Sequence, residues 1–378
     1  MKRSKEQSSA PHQKNAPSPT PQKARRWAEP TERSRIESPA APGTKCALES
    51  RLNVEAHQVR SRTRLREIIP GALYLITRKT NDDLFYLRPG EGIEEVLLYL
   101  LLLKAKRYRL KIHGFIVMSN HVHLVVSDPI GQLPAFAREF FSESSKAVQD
   151  VLGIKCQIWA SKRYAATELL DHDAAQRAIA YCHTNPTEAG LTLPQDWPGL
   201  SSAHHPFGER LEAQRPEGYF GSYRPEIVEA VLEPLPRVVG ETREEETSEP
   251  GVPDATRFER CCQRLQNTVD RLVRESVERI QQRREQNSED ELLGKEEVLK
   301  TSRLRRGNRP DTGITPRFMS KDPKRRKRAI DRRKCFLSEH VIAKERYIGG
   351  EQQVWFPRGT YGYRELLEVK VRGGGVAV

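Results

Sequence analysis

Between Met118 and Val126 the chain reads Met-Ser-Asn-His-Val-His-Leu-Val-Val. A β-branched apolar run of this kind predicts a strand. Side chains two residues apart on a strand share a face, so His121 and His123 project together. Val122, Leu124 and Val126 then point the other way, into a core. Two imidazoles on one face of a rigid strand make a ready pair of metal ligands. As polar residues on the wet face of an amphipathic strand they need no metal, and the residues alone leave both readings open.

The segments around this strand suggest its setting. Ala72–Thr77 reads as a first strand, closed by the polar stretch from Lys79 to Asp83. Ile93–Lys106 is apolar nearly all round and lacks Gly and Pro, which predicts a buried helix. Leu110–Met118 is a second strand, joined to the histidine strand through Ser119-Asn120. A helix over Leu133–Leu152 follows, with Phe136, Phe140, Phe141, Ala147 and Val148 as its stripe. Cys156–Trp159 reads as a fourth strand, and a helix from Asp171 stops at Asn185-Pro186. This order predicts an α+β domain, a ferredoxin-like antiparallel sheet with helices on one face and the two histidines on the open face.

The remainder divides by composition. Residues 1–64 are rich in Pro, Ser, Gln, Lys and Arg and read as a disordered basic arm. The domain spans 65–205, and 206–253 reads as linker. Over 254–290, Phe258, Cys262, Leu265, Val269, Leu272, Val273, Val277 and Ile280 recur at helical spacing, an amphipathic helix. Residues 291–378 form a basic C-terminal extension, with Lys324, Arg325, Arg326, Lys327 and Arg328 at its centre and a terminal β segment near Trp355. That run is the electrostatic candidate for phosphate contact, against the plainer reading of a solvated helix face. The formal charge of +13 implies a polyanionic partner, nucleic acid before a membrane surface. Six cysteines without metal-finger spacing suit a reducing cytoplasm, and no apolar run approaches membrane-spanning length.

Tyr164 and Glu168 stand four apart and would share one face of a helix. A carboxylate there completes a His-His-Glu metal set, and Lys162 and Arg163 would bind flanking phosphates. The series Met118–His123, Trp159–Tyr164 and Tyr181-Cys182-His183-Thr184-Asn185-Pro186-Thr187-Glu188-Ala189-Gly190-Leu191, with Ile69-Pro70-Gly71 before it and Trp197-Pro198-Gly199-Leu200-Ser201-Ser202 after it, resembles the single-tyrosine HUH transposases, most closely their REP-associated branch. The resemblance covers roughly residues 64–205. It implies Mg²⁺ or Mn²⁺ held by His121 and His123, with Glu168 as third ligand, and a tyrosine that cuts single-stranded hairpin DNA through a 5′-phosphotyrosine link. Tyr164 is the residue carried over as nucleophile, and Tyr181, which matches a structural position of the family, is the second candidate. It also implies a cytoplasmic, nucleoid-associated protein, with a homodimer as a possible assembly. A catalytically silent hairpin-binding protein on the same fold is the alternative.

Overall fold

The computed structural model describes residues 65–161, 164–236, 253–307, 315–351, 353–361 and 370–372. The basic arm, Lys162, Arg163 and positions 237–252 therefore lie outside the described residues. The elements run β1 (Ala72–Lys79), α1 (Ile93–Tyr108), β2 (Lys111–Met118), β3 (His121–Asp128), α2 (Leu133–Val151), β4 (Ala165–Leu169) and α3 (His172–Glu188). There follow β5 (Arg210–Gln214), β6 (Ile227–Val231), α4 (Asp254–Gln286), α5 (Lys295–Lys300), β7 (Phe318–Met319), α6 (Pro323–Ile348), β8 (Trp355–Phe356) and β9 (Lys370–Val371).

The architecture is α+β around one five-stranded sheet of order β2-β3-β1-β4-β7. The first four strands pair antiparallel; β7 joins β4 in parallel and makes the sheet mixed. The face of Val122 and Leu124 lies under α1 and α2, which bury Leu97, Leu100, Phe136, Phe140 and Phe141 against it. Helix α2 starts on a buried device: the Asp128 carboxylate accepts the N–H groups of Gly131, Gln132 and Leu133, each at 2.8 Å. Lys104 of α1 is buried, with its ammonium 3.0 Å from Glu139 and 2.6 Å from Glu143 of α2.

Several expectations are corrected. The histidine face is not open: α3 lies across it. The approach depends on Gly114 of β2, where a Cβ would sit 3.3 Å from both Cγ atoms of Ile179. Residues 156–159 do not form the fourth strand. Ile158 and Trp159 are buried, but their backbone only crosses β1 near Thr80, with Asn81 N donating to Ile158 O. The fourth strand is 165–169, so Tyr164 and Glu168 stand on extended chain rather than on a helix. Helix α3 runs through Pro186 to Glu188 rather than stopping before the proline, and the N–H that Pro186 lacks leaves the Cys182 carbonyl without its helical donor.

The segment read as linker from 206 is structured as far as 236. Strands β5 and β6 pair antiparallel, and Glu233 N donates to Ile112 O, tying them to the β2 edge. His113 accounts for part of that tie: its two ring nitrogens meet Glu233 O and Ser127 Oγ at 2.9 Å. Burial holds its pKa down to about 4, so it stays neutral. The amphipathic helix α4 packs on α3 and buries Cys262, Leu265 and Val269.

Candidate nucleic-acid active site

The site is assembled from β3, β1, α3 and a segment of the C-terminal extension. Residues opposite one another in the β1/β3/β4 register share a face, which places Lys79, Thr77, Leu75 and Thr167 with His121 and His123. The imidazoles stand edge to face with centroids 4.8 Å apart. His121 Nδ1–H donates to Asn120 Oδ1 at 2.8 Å, which puts the ring's lone pair on Nε2. His123 Nδ1 shares a 2.8 Å hydrogen bond with Thr77 Oγ1. Burial, and then the neighbouring His121, push the His123 pKa well below the ordinary histidine value, so the ring is neutral and able to ligate.

Tyr181 completes the arrangement. It projects from α3 with its ring edge on His123 at 5.1 Å between centroids, and it is 40% exposed. One turn on, Asn185 is buried and lines the same cleft, while Arg177 lies one turn before. The cleft encloses about 730 Å³. Its far wall comes from the C-terminal extension, including Arg305, Arg306, Gly307 and Pro316. Phe85 N donates to the carbonyls of Arg303 and Arg305 at 3.1 Å, and Gly307 N donates to Asp83 O, pinning that wall in place. Gly307 passes so close that a Cβ there would lie 2.5 Å from Asn120 Nδ2, the amide whose oxygen holds His121.

The sheet separates the other anticipated residues from this cleft. Ala165 pairs with Thr77, so its neighbour Tyr164 falls on the helix-covered face. There its ring stacks 5.9 Å from Phe141 of α2, and the Arg66 guanidinium lies 3.7 Å above it. Glu168 pairs with Tyr74 on that same face and binds Arg332 of α6 at 2.6 Å. A His-His-Glu set with Glu168 is therefore not formed, and among the described residues no cluster of three His, Cys, Asp or Glu side chains suits a metal ion.

The basic run begins α6, away from the cleft. Arg325 and Arg326 donate to the carbonyls of Leu170 and Ser320, and Lys324, Lys327 and Arg328 are exposed. The sequence ranked Tyr181 only second to Tyr164, and Asn185, Thr77, Asn120, Arg305 and Arg306 were missed. A signal for Tyr181 and Asn185 was present: Arg177, Tyr181 and Asn185 recur every fourth residue, one stripe of a helix flanking the apolar Ala178, Ile179 and Cys182. The Trp197–Ser202 motif is structural. Leu200 O accepts from Val117 N along the β2 edge, and Ser202 Oγ bridges Phe115 and His183.

No family model matches the chain, and no curated protein matches it. Among solved structures it is similar to that of a REP-associated tyrosine transposase bound to a REP hairpin, at 20% identity and a TM-score of 0.32. That likeness covers 38% of this chain and 83% of the other. No described helix is long and apolar enough to cross a membrane.

Proposed function

We propose that the chain is a metal-dependent endonuclease and strand transferase acting on single-stranded, hairpin-bearing DNA in transposition, with Tyr181 as nucleophile. The observation that carries this reading is the phenol ring of Tyr181 set against the imidazole pair across the strand–helix gap. The motif series in the sequence points to the same chemistry. The Tyr181 phenol gives up its proton to water as its oxygen attacks phosphorus, the bond from phosphorus to the 3′ oxygen breaks, and that oxygen takes a proton from water to leave as a 3′-OH. The phosphodiester energy is kept in the 5′-phosphotyrosine link, and a 3′-OH reverses the step on another strand without an external energy source.

The donors suit a divalent ion, Mg²⁺ or Mn²⁺: the imidazoles of His121 and His123, and the amide oxygen of Asn185 one turn beyond Tyr181. Such an ion supplies charge neutralisation and alignment of the scissile phosphate when bound. The protein's own part is to hold the nucleophile on a packed helix, fix the imidazole orientations through Asn120 and Thr77, and line the cleft mouth with Lys79, Arg177, Arg305 and Arg306.

The orienting partners give a direct prediction. Asn120→Ala and Thr77→Val should each weaken Mn²⁺ binding by about 10- to 100-fold in calorimetric titration while leaving the fold intact. Unchanged affinity in both would remove the imidazole pair from the metal site.

The whole reading is tested with purified protein, Mn²⁺ or Mg²⁺, and labelled single-stranded hairpins from the DNA flanking its own gene. A band surviving denaturing electrophoresis, and lost with EDTA, is expected. Tight hairpin binding without any such band would instead identify a catalytically silent binder.

A further inference from the structure

A second groove, of about 410 Å³, runs between β7 and α6 on the far side of the segment that walls the cleft. Its lining is cationic over an apolar floor: Arg317, Arg326, Arg333 and Lys334 surround Phe318 and Ile330. Arg317 and Lys334 are exposed at the rim, and Ile330 is 44% exposed. The acids nearby are already engaged, Asp331 among them, 3.5 Å from Lys334 in a solvent-exposed pair. Glu168 is taken by Arg332 at 2.6 Å, and Glu67 lies 3.1 Å from Arg332 against 4.0 Å from Arg333. Arg333 Nη1 is buried without a hydrogen-bond partner. Burial, and next the facing Arg317, hold the Arg333 pKa below the ordinary arginine value, as expected for crowded cations short of counter-charge.

The groove and the cleft lie on opposite faces of the β7 edge, with Phe318 lining the first and Met319 the second, and adjoin around that edge. Pro316 forms part of both walls, and the segment is fixed to the β4 edge where Thr167 Oγ1 donates to Pro316 O and Glu168 N to Arg317 O. We propose that the groove between β7 and α6 binds the phosphate backbone of single-stranded DNA leaving the cleft, without regard to sequence. Phosphates lie along Arg317 and Lys334, and bases rest on Phe318 and Ile330, the combination of cations and apolar platforms that suits a single strand. This inference rests on the endonuclease reading for the direction of the strand, but the groove's own binding is measurable without cleavage.

The test uses the full chain with Arg317→Gln and Lys334→Gln together, both at exposed positions, and fluorescein-labelled (dT)20 followed by anisotropy over a range of salt. The dissociation constant at ~0.1 M salt is expected to rise on the order of tenfold. The slope of log affinity on log salt should fall by ~1.4, about 0.7 for each phosphate no longer neutralised. A (dT)5 probe, too short to occupy cleft and groove together, should change less than about twofold. The comparison pair Lys106→Gln and Lys146→Gln removes equal charge from exposed sites on α1 and α2 and should leave (dT)20 binding near that of the parent. Unchanged (dT)20 affinity and slope, or an equal loss in the comparison pair, would overturn the proposal. Loss of (dT)20 affinity from a parent that forms no covalent adduct would uphold the groove and defeat the nuclease reading.

Discussion

Tyr181→Phe is expected to abolish the metal-dependent covalent adduct, and Tyr164→Phe to leave it within a few-fold of the parent. Removing one oxygen from Tyr181 deletes the attacking atom while keeping the ring that rests on His123. Loss of a nucleophile in enzymes with covalent intermediates costs roughly 10⁴- to 10⁶-fold in the chemical step. Hairpin affinity should barely move, because phosphate contacts dominate binding to nucleic acid. Tyr164 offers the contrast. Its ring is held between Phe141 and Arg66 on the other side of the sheet, an environment that a phenyl group preserves. Denaturing gels of the two variants beside the parent decide the matter, and an adduct lost only in Tyr164→Phe would overturn the assignment to Tyr181.

The second large effect is on stability. Lys104 is 1% exposed, and its charge is tolerated because two carboxylates reach it from α2. Glu139→Gln with Glu143→Gln leaves a buried ammonium without a counter-charge, which costs about 3–5 kcal/mol. Thermal unfolding should then occur roughly 10 °C lower. Lys104→Met should be far milder. The carboxylates it abandons are 25% and 20% exposed, and Arg107 and Arg224 remain at 3.6 and 2.8 Å. A methionine of similar length fills the space without a desolvation penalty. Calorimetry on both variants checks the asymmetry; equal losses would show that Lys104 contributes through its packing rather than its charge.

Much of the architecture was legible because it is written locally. The alternation around Val122 and Leu124 and the continuous apolar run of α1 identify strand and helix without knowledge of any partner. The common facing of His121 and His123 follows from the strand period alone. What could not be read was which side of the sheet a residue occupies when its strand pairs far away in sequence. A spacing of four puts Tyr164 and Glu168 on one face in a helix or in a strand. Only the pairing of Ala165 with Thr77 decides that this face is the one opposite the histidines. A slip of one residue would have sent both into the cleft. Strand β7, two residues long, has no periodicity to recognise, and the segment beside it supplies a wall of the cleft. The acidic and proline-rich character of 206–236 concealed the β5–β6 pair, whose buried Leu211, Ala213 and Val228 alternate with polar or exposed neighbours over strands only five residues long.

The parallel joining of β7 to β4 has a consequence for how the molecule is made. Phe318 meets Glu168, a separation of 318 − 168 = 150 residues. At about 5–20 residues per second, a ribosome needs on the order of 10 s to deliver the second partner after the first. Throughout that interval the outer edge of β4 presents unpaired backbone groups, the feature that recruits stray strands from other chains. Slowing translation between these positions should therefore lower soluble yield more than slowing it elsewhere.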